Sequence, residues 1–291
     1  MQLKKLRIVL GAVLLSAACG SPPVEITPPP APAHQNELIR LWAREKSTFG
    51  VYVPNENPVS REERQSGVRR APVYSREGGA ELARNPLYDF VFLNLEGNYD
   101  TEAVAAIAQG MRSPDAVSRK TLLVRIPPIS RDGEELARAR VKEILDHGAD
   151  GVILPHVRSL EEAKTAIRFF AEAGADVWSP ANPAGEILAM LMLEDPEAIA
   201  QAAEIADLPG YSMLACGIGS LTQAMGGDRE AAEAGNQRVL AEAKRAGLAD
   251  MITANAENIA QRVREGFLAL LMRGPTADDI IQIGREAAGR E

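Results

Sequence analysis

The run Tyr88-Asp89-Phe90-Val91-Phe92-Leu93-Asn94-Leu95-Glu96-Gly97 carries an apolar stretch from Phe90 to Leu93 and then meets an amide and a carboxylate. A short apolar run of this kind suits a strand buried on both faces, as in a parallel sheet covered by helices. Seven similar runs lie around it, at 49–53, 121–126, 151–154, 187–193, 211–216, 250–254 and 267–272. Between most of them apolar residues recur at helical spacing, as in Ala137, Val141, Ile144 and Leu145, or Ala163, Ala166, Ile167 and Phe170. Eight strand–helix units in one chain of 291 residues point to an α/β fold, a (β/α)8 TIM barrel, with a doubly wound sheet as the alternative. The composition agrees, with 46% hydrophobic residues but only 4% aromatic, as expected for small aliphatic helices packed on a parallel sheet.

In a barrel the reactive groups stand where strands end. Asn94 and Glu96 close the second run, Arg125 the third, Pro155 and His156 the fourth, Glu194 the fifth, and Gly217-Ile218-Gly219-Ser220 the sixth. An arginine beside carboxylates makes a pocket for a small anionic oxo acid, because the guanidinium fork matches a carboxylate or enolate and an acid can hold a cation. Backbone N–H groups of the glycine-rich turn at Gly217 and Gly219, opening a helix at Ser220, add donors for an anion.

The N-terminus predicts export. Lys4, Lys5 and Arg7 precede an apolar run from Ile8 to Leu15 and then small residues before Cys19, a secretory signal over residues 1–18 that is too short for a mature membrane span. Ser16-Ala17-Ala18-Cys19 resembles a bacterial lipobox, with Cys19 as the acylated residue; ordinary cleavage after Ala18 is the alternative. A lipid on Cys19 would anchor the protein to a membrane facing the periplasm or cell surface, and would leave Cys216 as a lone thiol with no disulfide to form. Residues 19–36 are proline-rich and read as a linker that includes His34, with the barrel over 37–291. A net charge of −8 without a basic face argues against nucleic acid as a partner.

The stretch Val141-Lys142-Glu143-Ile144-Leu145-Asp146-His147-Gly148-Ala149-Asp150-Gly151-Val152-Ile153-Leu154-Pro155-His156-Val157, followed by Ser159-Leu160-Glu161-Glu162-Ala163, resembles the HpcH/HpaI aldolase/citrate lyase family of pyruvate and phosphoenolpyruvate barrels. The resemblance runs from about residue 47 and implies metal-assisted enolisation of a pyruvate-like 2-oxo acid, with carbon–carbon cleavage or formation. It implies Mg²⁺ or Mn²⁺ as cofactor, a small 2-oxo acid as ligand and a homo-oligomer. Carried over position by position, Arg125 in Leu123-Val124-Arg125-Ile126-Pro127 matches the family arginine, Glu194 in Leu191-Met192-Leu193-Glu194 the first metal carboxylate, and Glu96 with Asp146 the acidic pair that supports a catalytic histidine.

Three positions depart from that pattern. Gly97 stands where the family has its histidine, Ser220 replaces the second metal carboxylate, and Met192 replaces a glutamine. Ser220 would remain a weak metal donor beside Glu194, since a neutral hydroxyl suits a hard divalent ion poorly. His156, beyond a strand end on the same face, could replace the missing base. Each residue also has a plainer reading: Ser220 as a helix cap, Asp195 before Pro196 as an N-cap, Arg125 as an ion-pair partner of Glu96 or Glu194, Glu194 as an inherited structural acid, Asp146 as a structural residue on a helix end beneath the sheet, and His147 as a solvated helix residue.

Two length changes bear on the site. Residues 55–77 form a polar insert with Arg61, Arg64, Arg69, Arg70 and Arg76, a lid or a solvated loop. Residues 175–185 are shorter than the family segment that shapes the mouth. Two functions stay open: a diverged carbon–carbon lyase, or a non-catalytic protein that binds an oxo acid.

Overall fold

A computed structural model describes residues 34–290. The signal and lipobox through Cys19, and most of the proline-rich linker, lie outside them. The eight strands are β1 (Thr48–Tyr52), β2 (Phe90–Asn94), β3 (Thr121–Arg125), β4 (Gly151–Val157), β5 (Leu188–Leu193), β6 (Met213–Cys216), β7 (Ala249–Thr253) and β8 (Ala269–Met272). They pair in sequence order, all parallel, and β8 closes on β1, so the sheet is a closed (β/α)8 TIM barrel. The doubly wound alternative is excluded by that closure.

Alternation along each strand divides the interior into two cores. Residues of one parity, such as Val91, Leu122, Val152, Leu191 and Leu270, face the surrounding helices. Those of the other parity, such as Phe92, Leu123, Ile153, Met190, Met213, Met251 and Leu271, fill the barrel itself. Gly50 belongs to the inner set, and a Cβ there would collide with Phe90, so glycine is what lets that ring enter the barrel. The next inward residue beyond each packed layer emerges at the strand ends, and that row builds the site.

The opposite mouth is plugged. The helix Glu37–Trp42 sends Leu38, Ile39 and Trp42 into the inner core. The Trp42 indole lies 5.7 Å from that of Trp178, and its Nε1–H donates to the Leu268 carbonyl at 3.0 Å. This plug revises the reading of His34 as part of a linker: His34 is buried, its Nδ1 is 3.1 Å from Glu186, and the Asn36 side chain accepts bonds from Leu38 N–H and Thr121 Oγ1–H. The expectation for residues 175–185 is corrected for a related reason. That segment joins the helix Leu160–Glu172 to the start of β5 and carries Trp178 into the plug, so it lies at the closed end and not at the ligand-binding mouth.

The insert after β1 is a tied loop. Ser60 and Glu63 form a reciprocal capping box on the helix Arg61–Gln65, and Asn55 and Glu56 bind back to Val73 and Ser75. Arg70 pairs with Glu63. Arg69 and Arg70 line a cleft of about 550 Å³ with Asn94, Gly97 and Asn98, so the insert borders the end of β2.

Candidate active site

Four side chains from the ends of β2, β3, β4 and β5 converge. Glu96 follows β2, and its backbone N–H is held by the Asn94 side chain at 3.2 Å. Arg125 ends β3, and its Nη2 is 2.5 Å from Glu96 Oε2 and 3.9 Å from Glu194 Oε2. Glu194 is only 2% exposed at its side chain, and its Oε2 accepts the His156 backbone N–H at 3.0 Å. His156 completes the group, with Nε2 3.0 Å from Glu96 Oε1 and Nδ1 3.3 Å from Glu194 Oε2.

Local backbone geometry places the histidine. The β4–β5 register shifts between Leu154 and Val157, and His156 takes φ +53°, the left-handed region that residues other than glycine seldom adopt. Such a conformation persists only where its surroundings hold it, and here both ring nitrogens and the backbone N–H face carboxylates.

A guanidinium and an imidazole stand against two carboxylates. The hydrogen bond to Glu96 raises the His156 pKa above its ordinary value despite partial desolvation, and the charges of Glu194 and Glu96 add to the effect. Burial alone would raise Glu96, yet the His156 hydrogen bond and Arg125 hold it below the usual carboxylate range. His156 therefore holds its proton more tightly than a free imidazole, with a carboxylate facing each ring nitrogen.

Beside this quartet, Arg125 and Glu194 open onto a cavity of about 390 Å³ that also takes in Tyr52, Met192, residues 217–220, Met251, Thr253 and Arg273. Glu96 and His156 lie outside its lining and border it through Arg125 and Glu194. Arg125 Nε is buried without a hydrogen-bond partner, a donor left over beside the cavity. At Gly217 a Cβ would collide with the Glu194 carboxyl, so the absence of a side chain is what allows that carboxylate its place. Gly217, Gly219 and Ser220 line the cavity; Ser220 sits in the first turn of the helix Ile218–Ala224 but does not cap it.

Asp146 does not join them. It ends the helix Glu134–Asp146, which leads into the start of β4 at the closed end of the barrel, and pairs with Lys142 Nζ at 2.7 Å. His147 caps the same helix end, and Asp195 caps the helix Pro196–Ala200. The metal assignment to Glu194 and Ser220 does not fit the donor set. The Glu194 carboxylate is already engaged by His156 and neighboured by Arg125, and Ser220 offers only a neutral hydroxyl. Among the described residues no group of three or more His, Cys, Asp or Glu is placed to hold a metal ion.

Two lining residues escape the reading of strand ends given above. Tyr52 ends β1, and Arg273 is the next inward position after Ala269 and Leu271 on β8. Their signal is the inward period of two, carried to the last residue of β1 and one step beyond β8.

Comparison with known proteins follows the same lines. A curated relative, 4-hydroxy-4-methyl-2-oxoglutarate aldolase tasA from Hapsidospora irregularis, is 26% identical over 165 residues, 50% of this chain. The chain spans 58% of that relative's length. Among solved structures, an HpcH/HpaI aldolase/citrate lyase family protein from Burkholderia cenocepacia superposes with a TM-score of 0.62 at 21% identity, covering 87% of this chain and 98% of that one. The citrate lyase β subunit from M. tuberculosis, solved with oxaloacetate and magnesium, gives 0.54 at 18% identity, covering 84% and 98%. The HpcH/HpaI aldolase/citrate lyase family model matches residues 80–272, and the chain belongs to that family.

Proposed function

We propose that this protein is a carbon–carbon lyase that cleaves a small 2-oxo acid, with Arg125 steadying the enolate and the His156–Glu96 pair moving the proton. The observation that carries this reading is the His156 ring held 3.0 Å from Glu96 beside Arg125, at the strand ends where the family histidine is missing. A 4-hydroxy-2-oxo acid, of the kind named for the curated relative, would reach from the cavity past Arg125 to the mouth, where the Glu96 and His156 side chains stay 23% and 34% exposed; there the hydroxyl proton passes to Glu96 and the bond between carbons three and four breaks. Its electron pair becomes the enolate, which pairs with Arg125. His156 then protonates carbon three, and the proton on Glu96 crosses to His156 Nε2, restoring the resting pair. A raised histidine pKa favours this direction, because it enlarges the protonated share that can donate. No step is routed through a metal.

A second reading, an oxo-acid binding protein without chemistry, draws on Gly97. Nothing lies within 4 Å of where its Cβ would stand, so no other side chain has filled the vacant histidine position. Exchange of pyruvate methyl protons in deuterated water, followed by NMR, separates the two. The lyase reading expects exchange that Arg125→Met and His156→Gln each abolish. Calorimetric binding of pyruvate without exchange in the wild type would overturn it in favour of binding.

Export and a lipid on Cys19 belong to the same proposal and rest on Lys4, Lys5, Arg7, the apolar run and the small residues before Cys19. Metabolic labelling with palmitate, lost in Cys19→Ser, is the expected result.

A further inference from the structure

We infer that Arg273, seated on Tyr52, is a second anion-recognition point in this cavity, and that the oxo acid taken there carries two carboxylates. The inference rests on the reading that Arg125 holds an oxo acid.

The placement follows from strand parity. Ala269 and Leu271 face the barrel interior, so the next inward position on β8 is residue 273, at the mouth. Val51 pairs with Met272 across the β1–β8 seam, which sets Tyr52 beside Arg273 one step on. The Arg273 guanidinium carbon lies 4.4 Å from the centroid of the Tyr52 ring, and that ring leans on Phe92 at 4.9 Å. Stacking on an aromatic face fixes the plane of a guanidinium and leaves its N–H edge free to pair with a carboxylate in two-point fashion.

The charge balance points the same way. Arg125 is engaged by Glu96, whereas Arg273 is exposed and, among the described residues, faces no carboxylate in an ion pair. The charged residues of the lining are Arg125, Arg273 and Glu194, a net positive site in a chain whose net charge is −8. One carboxylate needs one guanidinium, so a second, uncompensated arginine on the same lining suits a ligand with a second anionic group. Met192, Met251 and Leu271 give the cavity apolar wall for a short carbon chain, and its volume of about 390 Å³ admits four or five carbons.

Calorimetry with matched acids tests this: 2-oxobutanoate against oxaloacetate, and 2-oxopentanoate against 2-oxoglutarate. The wild type is expected to bind at least one dicarboxylate about tenfold or more tightly than its monocarboxylate partner. Arg273→Met should erase that preference and leave the monocarboxylates unchanged, while Arg125→Met should weaken all that bind. A preference that survives Arg273→Met, or no preference in the wild type, overturns the inference and leaves the Arg125 reading intact. Binding indifferent to Arg125→Met but with a preference lost in Arg273→Met overturns the Arg125 reading alone. No binding of any of the four acids overturns both.

Discussion

His156 Nε2 stands 3.0 Å from Glu96 Oε1 while its Nδ1 faces Glu194, so one imidazole joins the ends of β2 and β5 from a left-handed turn after Pro155. The contact raises the histidine pKa above 6.5 and has a sign that can be measured. A histidine bound more tightly to its proton in the folded state stabilises fully below the unfolded pKa, and the benefit is lost as pH rises through the folded value. The stability gap between wild type and His156→Gln should therefore shrink from ~pH 6 to ~pH 9. An NMR titration of His156 should show a midpoint above that of free imidazole, falling toward it in Glu96→Gln; a normal midpoint in the wild type would contradict the pairing.

Chelation separates the donor set from the family pattern. Glu194 with Ser220 is too poor in free anionic oxygen to retain Mg²⁺ against His156 and Arg125. Proton exchange or oxo-acid binding should persist in EDTA at the untreated rate or affinity. Dependence on added Mg²⁺ would show that His156 gives up Glu194 when the ion arrives.

Gly217 has an ordinary φ of −75°, so Gly217→Ala strains no backbone, yet the new methyl would occupy the space of the Glu194 carboxyl. Melting temperature should change little. Oxo-acid affinity should drop on the order of tenfold, because Glu194 must turn away from His156 and Arg125. Unaltered binding would mean that Glu194 has no part in the pocket.

All eight strands were legible, because a parallel barrel needs apolar runs on both strand faces and those runs are local. β4 runs three residues past its apolar run 151–154: Pro155 and His156 look like a loop in sequence, and only the neighbouring β5 continues the pairing to Val157. Arg125, Glu96 and Glu194 were visible as polar residues at strand ends. Asp146 was not well placed by resemblance, since a residue just ahead of a strand belongs to the closed end of a barrel. His34 and Asn36 looked like linker because their partners, Glu186 and Thr121, are far away in sequence. Arg273 was hidden because its role depends on the seam between the first strand and the last.

Trp42 tests that seam from the other end. Its ring is 5% exposed and closes the lower barrel against Trp178, with Nε1–H on the Leu268 carbonyl. Trp42→Ala should cost about 3–5 kcal/mol in chemical denaturation, the usual range for emptying a large aromatic site. A cost below ~1 kcal/mol would mean that the helix Glu37–Trp42 is not integral to the barrel.

Asp250 offers the clearest route to a more stable protein. It sits in β7 on the parity that faces the helices, 2% exposed, with its carboxylate oxygens in no side-chain hydrogen bond and the Met251 backbone N–H acting on them. Burial pushes its carboxyl well above the ordinary value. A carboxyl whose folded pKa is raised costs stability progressively as pH climbs from the unfolded pKa toward the folded one. Asp250→Asn removes that ionisation with little change of shape. The variant should surpass the wild type by about 1–3 kcal/mol at ~pH 8, with the advantage shrinking toward ~pH 4. Equal stability at both pH values, by urea denaturation, would show that Asp250 finds a partner for its charge in solution.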